Sequence, residues 1–470
     1  MIPRRMRYAR LLSGCCALAA LPVVHGQETA ASPVRPIPAM NRWQEDWSSL
    51  ADPSLRTEPG DGWKYHPLAP LLPDGWLSLG LTLRERYEQN DAVNFGVNGA
   101  PREAYLLQRL QVHADLHLDS HWRLFTQLED ARAWAKDPVT PVDQNPLDLR
   151  LAFAEYVQHT AAGTLKARVG RQDFAFDLQR FVSSRDGPNV RQSFDAVWAD
   201  WETADWRFIA FVSEPVQYLD SKPFDDHSNS AFRFHTVRVE RHVLGDNELS
   251  AYWSVYERAN ARYIDASGLE RRDLLDARFA GKSGAVDWDL EAMGQSGRVG
   301  ATAIRAWAGG AGAGWTLEET AGKPRLGLQL DAASGDSRRG DGALGTFNPL
   351  FPNGYYFSLA GYTGYANLVQ VKPTLTLHSA TGLVTTFGAG LLWRETTGDA
   401  VYVQPNVPVA GTAGEPGRRT GTYWQARADY RVDRLITTAI EVVHDDVSQV
   451  IRRVGGRDSD YVGIEFKLSW

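Results

Sequence analysis

The chain has 470 residues, 50 Lys+Arg against 57 Asp+Glu, and a net charge of −7, so no nucleic-acid partner is expected. Beyond the first 26 residues no run approaches the roughly 20 apolar residues of a spanning helix, which excludes the helical membrane class. There is no G-x-S-x-G, no H-E-x-x-H and no Cys/His metal spacing, so no enzyme, cofactor or metal is expected.

Arg4, Arg5, Arg7 and Arg10 precede a short apolar core from Leu11 to Val24, with no acid before Glu28. This is the pattern of a signal peptide over residues 1–26, with cleavage before Gln27. Leu12-Ser13-Gly14-Cys15 has the outline of a lipoprotein box, but most of the hydrophobic core follows it. Cleavage at Gln27 removes Cys15 and Cys16, the only two cysteines, and leaves no disulfide or thiolate site.

Residues 27–75 contain Pro33, Pro36, Pro38, Pro53, Pro59, Pro67, Pro70 and Pro73, which forbid regular strands. Trp43, Trp47 and Trp63 need a surface to pack on, so the expectation is an irregular periplasmic segment against the lower barrel rim, with Lys64 outside the barrel. A disordered leader is the alternative.

From Trp76 to Trp470 apolar and polar residues alternate with period two, in about eighteen runs separated by turn signals. Leu77, Leu79, Leu81 and Leu83 oppose Ser78, Gly80, Thr82, Arg84 and Arg86; Leu110, Val112 and Ala114 oppose Arg109, Gln111 and Asp115. The last run sets Val462, Ile464, Phe466, Leu468 and Trp470 against Tyr461, Gly463, Glu465, Lys467 and Ser469. The fold class is all-β, a transmembrane antiparallel barrel of about eighteen strands in a bacterial outer membrane, closed by the strand carrying Phe466 and Trp470. Gly309 to Gly314 reads either as a turn between two short strands or as bulges in one long strand. Only the latter returns Trp470 to the periplasmic side. Trp76, Trp122, Trp206, Trp393, Trp424 and Trp470 fall at strand ends, as interfacial girdles do.

Arg or Lys facing lipid at the midplane costs about 2–4 kcal/mol, so parity assigns the charged face to the lumen. The lumen-parity cations are Arg84, Arg86, Arg109, Arg150, Lys166, Arg168, Arg278, Arg394, Arg427 and Arg431. Asp115, Glu129, Asp276, Asp331, Asp429 and Glu465 share that face, so some of these groups are expected to pair across strands and brace the wall. Lysine occurs only at 64, 136, 166, 222, 282, 323, 372 and 467, leaving arginine, the side chain suited to carboxylates, as the main cation.

Several blocks resemble the alginate-export outer-membrane porins. They are RWQEDWSSLADPSLRTEPGD followed by WKYHPL (Arg42 to Leu68), LGLTLRERYE (Leu79 to Glu88), LKARVGRQDFAF (Leu165 to Phe176), RFVSSRDGPNVRQSFDA (Arg180 to Ala196), ASGD (Ala333 to Asp336) and FNPLFPNGYYF (Phe347 to Phe357). The resemblance implies a monomeric barrel that passes the polyanion alginate through an arginine-rich constriction. Arg171, Arg180, Arg185, Arg191 and Asp195 match these blocks and belong to a strand, an outer loop and the next strand, with the loop expected inside the pore; solvation at the loop surface is the alternative. The expected solute is alginate or another uronate polymer; a porin for small organic acids or oligosaccharides is the alternative. Expected partners are outer-membrane lipids and lipopolysaccharide, the barrel-assembly machinery and periplasmic export proteins.

Overall fold

A computed structural model describes residues 35–99, 102–243 and 247–470; the expected leader and its cleavage site lie outside them. Eighteen strands form one closed antiparallel barrel. The first six are β1 (Trp76–Asn90), β2 (Glu103–His117), β3 (Trp122–Trp134), β4 (Asn145–Thr160), β5 (Gly163–Gln172) and β6 (Phe194–Glu202). The next six are β7 (Trp206–Gln217), β8 (Phe232–Val243), β9 (Asn247–Arg262), β10 (Ser267–Ser283), β11 (Val286–Val299) and β12 (Thr302–Thr316). The last six are β13 (Arg325–Ala333), β14 (Leu368–His378), β15 (Leu383–Trp393), β16 (Arg419–Arg431), β17 (Ile436–Val447) and β18 (Ser459–Ser469). Each pairs with its neighbours in sequence, and β18 closes on β1 from Thr82↔Ser469 to Asn90↔Tyr461. Closure leaves no strand edge in lipid, where an unpaired backbone group costs several kcal/mol.

Alternation sets the two faces. Leu110, Val112, Leu124, Leu275, Leu290, Ile440 and Ile464 point outward and are exposed, whereas Ser78, Thr82, Gln111, Gln127 and Ser254 point inward and are buried. The Gly309 to Gly314 run lies within β12, in unbroken register with β11 and β13, so the run is one long strand but without the expected bulges. One of these glycines has a visible packing reason: a Cβ on Gly310 would sit 2.4 Å from Arg180 Nε. Trp122, Trp206 and Trp424 are exposed on the outer wall, as girdle residues are. Trp76 is not one of them; it has lumen parity and stacks 3.9 Å from His117.

The long connections 91–102, 135–144, 173–193, 218–231, 334–367, 394–418 and 448–458 share one rim, while most at the other rim are tight turns. Long outer loops over short periplasmic turns are the usual asymmetry of these barrels. The connections 263–266 and 300–301 are short exceptions on the outer rim. Two long loops leave the wall early, because β5 and β6 (10 and 9 residues) and β13 (9 residues) stop short of the 17 residues of β10. Loops 173–193 and 334–367 thereby turn into the lumen. They are held by an aromatic cluster in which Phe176, Phe181, Phe347, Phe351, Phe357 and Tyr365 pack against inward Phe194, Phe211, Phe234 and Tyr252. This cluster is apolar core inside a barrel, and period-two parity gave no sign of it.

Residues 35–75 form short 3-10 turns, the helix α1 (Asp61–Lys64) and a two-residue strand, His66–Pro67, paired to the start of β1. Part of this segment enters the barrel and does not stop at the rim. Trp47, Leu50 and Trp76 form one buried cluster, and Trp43 joins Phe125, Leu151 and Phe153 on the inward face of β3 and β4.

Candidate lumen constriction

At mid-height, loops 173–193 and 334–367 meet. Tyr355 lies so close to Gly187 that a Cβ there would fall 2.0 Å from its ring, so only glycine fits. β1 and β2 support this junction: Arg84 donates to the carbonyl oxygens of Asp186 and Gly187 at 3.0 and 3.1 Å, and Arg109 bonds the Asp186 carboxylate at 2.6 Å. Arg86 lies beneath the Tyr355 ring, its guanidinium carbon 5.4 Å from the ring centroid.

The inward arginines are mostly matched by acids. Arg84 pairs with Glu465 at 2.9 Å; Arg86 pairs with Glu88 and Glu441, both at 2.5 Å, and with Glu465 at 3.1 Å. Arg427 binds Asp429 at 2.7 Å and also Glu441. A bulge in β4 turns both Arg150 and Leu151 inward, and Arg150 reaches Asp173 at 2.5 Å and Glu129 at 3.7 Å. Arg168 pairs with Glu155, and Lys166 with Glu202 at 3.3 Å nearer the periplasmic mouth. Arg123 takes Asp115 through two bonds of 2.6 and 2.7 Å. On the far wall Arg180 binds Asp289 and Glu291, both at 2.6 Å, with Asp331 3.8 Å away. Arg278 holds Asp289 at 2.6 Å and Asp177 at 2.9 Å. Asp331 accepts from Tyr356 and Tyr365 of the second inward loop, and Asp276 is buried with neither carboxylate oxygen hydrogen-bonded.

Two cations at the junction differ from the rest. Arg185 sits at the tip of the first inward loop with φ at 53°, and its guanidinium makes no hydrogen bond or ion pair among the described residues. Lys467 on β18, opposite Arg84, makes none either, and both are part-exposed. Arg191, in the same loop, is committed instead to Asn41, Ser184 and Asp186.

Several expected site residues lie elsewhere. Arg171 and Asp195 pair at 2.9 Å on the outward parity of β5 and β6, where Ser228 of an outer loop joins Asp195, so both face away from the lumen. The reason is the odd spacing from Arg168, which turns Arg171 to the other face. Arg394 lies just past the end of β15, where it donates to the carbonyl oxygens of Asp399, Thr412, Glu415 and Gly417 and so ties together the outer loop 394–418. Arg431 keeps lumen parity but lies exposed at the periplasmic end of β16. Phe466 faces outward on the closing strand, whereas the Trp470 ring covers Gly60 and Lys64 and is not a girdle residue. Lys64 is buried, not outside the barrel: its Nζ donates to Leu79 O at 2.8 Å.

Parity would have found Arg123 and Arg238, which alternate with other polar residues on β3 and β8. Nothing local marks Asp173, Asp177, Asp186 or Tyr355, because loop residues acquire their partners only when the loop folds inward.

A family model described as alginate export matches residues 75–465. No curated protein matches. Among solved structures, Pseudomonas aeruginosa OpdK with vanillate aligns with a TM-score of 0.54 at 12% identity, covering 85% of this chain and 100% of that one. OccK2 (OpdF) of the same organism, in complex with glucuronate, aligns with a TM-score of 0.53 at 14% identity, covering 84% and 98%. OccK11 (OpdR) of that organism gives 0.53 at 11% identity, covering 84% and 95%. These three share the barrel fold with this chain. The family match spans most of the sequence, and the closed barrel it covers belongs to the alginate export family, as a channel-type protein of the bacterial outer membrane.

Proposed function

We propose that the protein conducts carboxylate-bearing solutes passively, with a uronate chain as the leading solute and no catalytic step. The observation that carries this reading is Arg185, a cation with no hydrogen bond or ion pair from its guanidinium among the described residues, at a junction where the neighbouring arginines are matched by acids; Lys467 lacks such a bond too but shares its field with Asp186 and Glu465. A fixed, unneutralised cation in a narrow low-dielectric passage lowers the entry barrier for an anion, and the local field outweighs a net acidic chain. Matched arginines brace the wall and contribute little net potential.

A specific observation favours the smaller solute. Two loops place a cluster of aromatic side chains inside the lumen, which suits single sugar acids or aromatic acids better than a polymer. Two barrels of similar fold were solved with glucuronate and with vanillate, which adds support. The arrangement proposed is a leader (1–26), an N-terminal segment (27–75) and the channel barrel (76–470). Lipopolysaccharide, the assembly machinery and periplasmic export proteins are its proposed partners, and it acts as a monomer.

In planar bilayers a salt gradient is expected to give an anion-selective reversal potential, reduced by Arg185→Glu. Block by oligouronates is expected to fade as the Debye length shrinks from about 10 Å at 0.1 M to about 3 Å at 1 M salt. Cation selectivity in the unmodified channel would overturn the reading. Anion selectivity without block by oligouronates, but with block by glucuronate, would select the small-acid form.

A further inference from the structure

Part of the N-terminal segment is seated inside the barrel. Arg42 lies inside the barrel and donates to Leu81 O and Thr82 Oγ1 on β1, and to the Trp470 carbonyl oxygen, at 2.8 to 2.9 Å. Its own Glu45 neutralises it at 2.5 Å. Asn41 Oδ1 accepts from Arg191 at 2.6 Å, which ties the segment to the first inward loop. Trp43 is held at three points: its indole Nε1 donates to Asp173 at 2.7 Å, its carbonyl oxygen accepts from Arg123 at 2.6 Å, and its ring centroid lies 4.2 Å from the Arg168 guanidinium carbon. Phe153 and Trp198 complete the slot around Arg168, with their ring centroids 4.3 and 5.0 Å from it.

This is a site for a ring. A guanidinium offers a flat face for stacking, an acid accepts from the ring's donor, and two further arginines stand beside it. Three cations of the lumen, Arg123, Arg168 and Arg191, are thereby engaged by the chain's own segment. Below the site, α1 packs tightly on the wall: a Cβ on Gly80 would fall 2.4 Å from His113 and 2.7 Å from Lys64 Nζ.

We propose that Asn41–Trp47 is an internal ligand of the channel, with Trp43 filling a ring site of Arg168, Phe153 and Trp198 that otherwise takes the ring of a hydroxyl-bearing sugar or aromatic acid; Glu155 already neutralises Arg168, so the slot holds the ring by stacking and its hydroxyl by donation to Asp173, not the carboxylate. Segment and solute then compete, and the segment must leave for a solute to pass on this side of the lumen. The acid part of the proposal rests on the anion-channel reading above; the plug part does not. When the binding-competent state is a minority, apparent affinity falls by its fraction, so freeing the segment sharpens solute binding.

The test uses the full chain with Arg42→Ala and Trp43→Ala together, compared with the unmodified channel in bilayers, each shown to be folded by its heat-modifiable band. Single-channel conductance and the largest neutral polyethylene glycol admitted are both expected to rise, the conductance by roughly twofold or more as the lumen widens. Glucuronate and vanillate, tested separately, are expected to block at about tenfold lower concentration. Asn41→Cys with Ser184→Cys, joined by a flexible thiol-reactive crosslinker that carries a disulfide in its spacer, is expected to hold conductance at or below the unmodified level until that disulfide is reduced. If the folded double variant keeps the unmodified conductance and polymer exclusion, the plug is overturned. If conductance rises while block by both acids is unchanged, the ring site is overturned. A cation-selective reversal potential alongside a rise in conductance would break the anion reading and leave the plug standing.

Discussion

The two sides of the lumen are built from the same alternating strands yet end up unlike. Along β1 to β4 the inward side chains Ser78, Thr82, Arg84, Arg109, Gln111, Gln127 and Glu129 are buried, because the N-terminal segment and the first inward loop lie on them. Along β15 to β18 the inward Thr386, Gln425, Arg427, Asp429, Glu465 and Lys467 keep contact with solvent. Strand parity decides which residues face inward and is silent on what covers them. A charge that faces inward is therefore covered on one side, and on the other some paired charges such as Arg427 and Asp429 still touch water.

The largest effect is expected at the seam between the sides, where β18 closes on β1. Deleting Phe466 to Trp470 removes the closing pairs and the indole over Lys64, and the heat-modifiable barrel band should vanish from outer-membrane fractions. Trp470→Ala separates the two roles. It should keep the band while loosening the N-terminal segment, seen as faster proteolysis near residues 35–65. A lost band would show that the ring itself is needed for closure.

Next comes Arg86, which holds Glu88, Glu441 and Glu465 together with little exposure. Arg86→Met leaves the buried Glu88 without its cation, while Glu441 keeps Arg427 and Glu465 keeps Arg84; stranding a buried charge in this way typically costs about 3–5 kcal/mol. The measurement is denaturant-induced unfolding in detergent, and a change below about 1 kcal/mol would mean that water reaches this group and the seam is as open as β16.

A smaller effect should come from pH. Burial beside the Arg42 guanidinium pushes the Lys64 ammonium down to about 7, with Arg35 adding to the fall and Glu45 and Asp61 opposing it. His113 is packed near the same ammonium, and the Trp47 and Trp470 rings face it. The docked segment binds fewer protons than a free one between pH 7 and the ordinary lysine value. Docking should therefore strengthen as pH rises through this window, by at most about tenfold per unit, and conductance should fall. Lys64→Met should flatten the profile between pH 7 and 10; an unchanged profile would assign it to another group.

The smallest stability change is expected at Arg185. With no side-chain hydrogen bond or ion pair to lose among the described residues, Arg185→Ala should alter unfolding by less than about 1 kcal/mol while shifting the reversal potential toward zero. A large loss of stability would place it among the structural arginines.

Much of the wall was legible because a strand in lipid repeats a simple constraint every second residue. Leu77 to Leu83, Leu110 to Ala114 and Val462 to Leu468 each identify a strand and its outward face without reference to any other segment. The same rule gave the lumen side of Arg84, Arg86, Arg109, Arg168, Arg278 and Arg427. It did not extend past the strand ends: Arg394 begins a loop, and Arg171 lies one parity step away from Arg168. Gly309 to Gly314 stayed ambiguous because glycine carries no facing preference of its own.

By itself the sequence determined a closed barrel, its strand directions and the composition of its inner face, since these follow from local alternation and from the cost of placing charge or unpaired backbone in lipid. Only the tertiary structure decided which inner charges are free. Trp43 finds Asp173 across 130 residues and Arg42 finds Trp470 across 428, and contacts so distant leave no periodic trace in the chain.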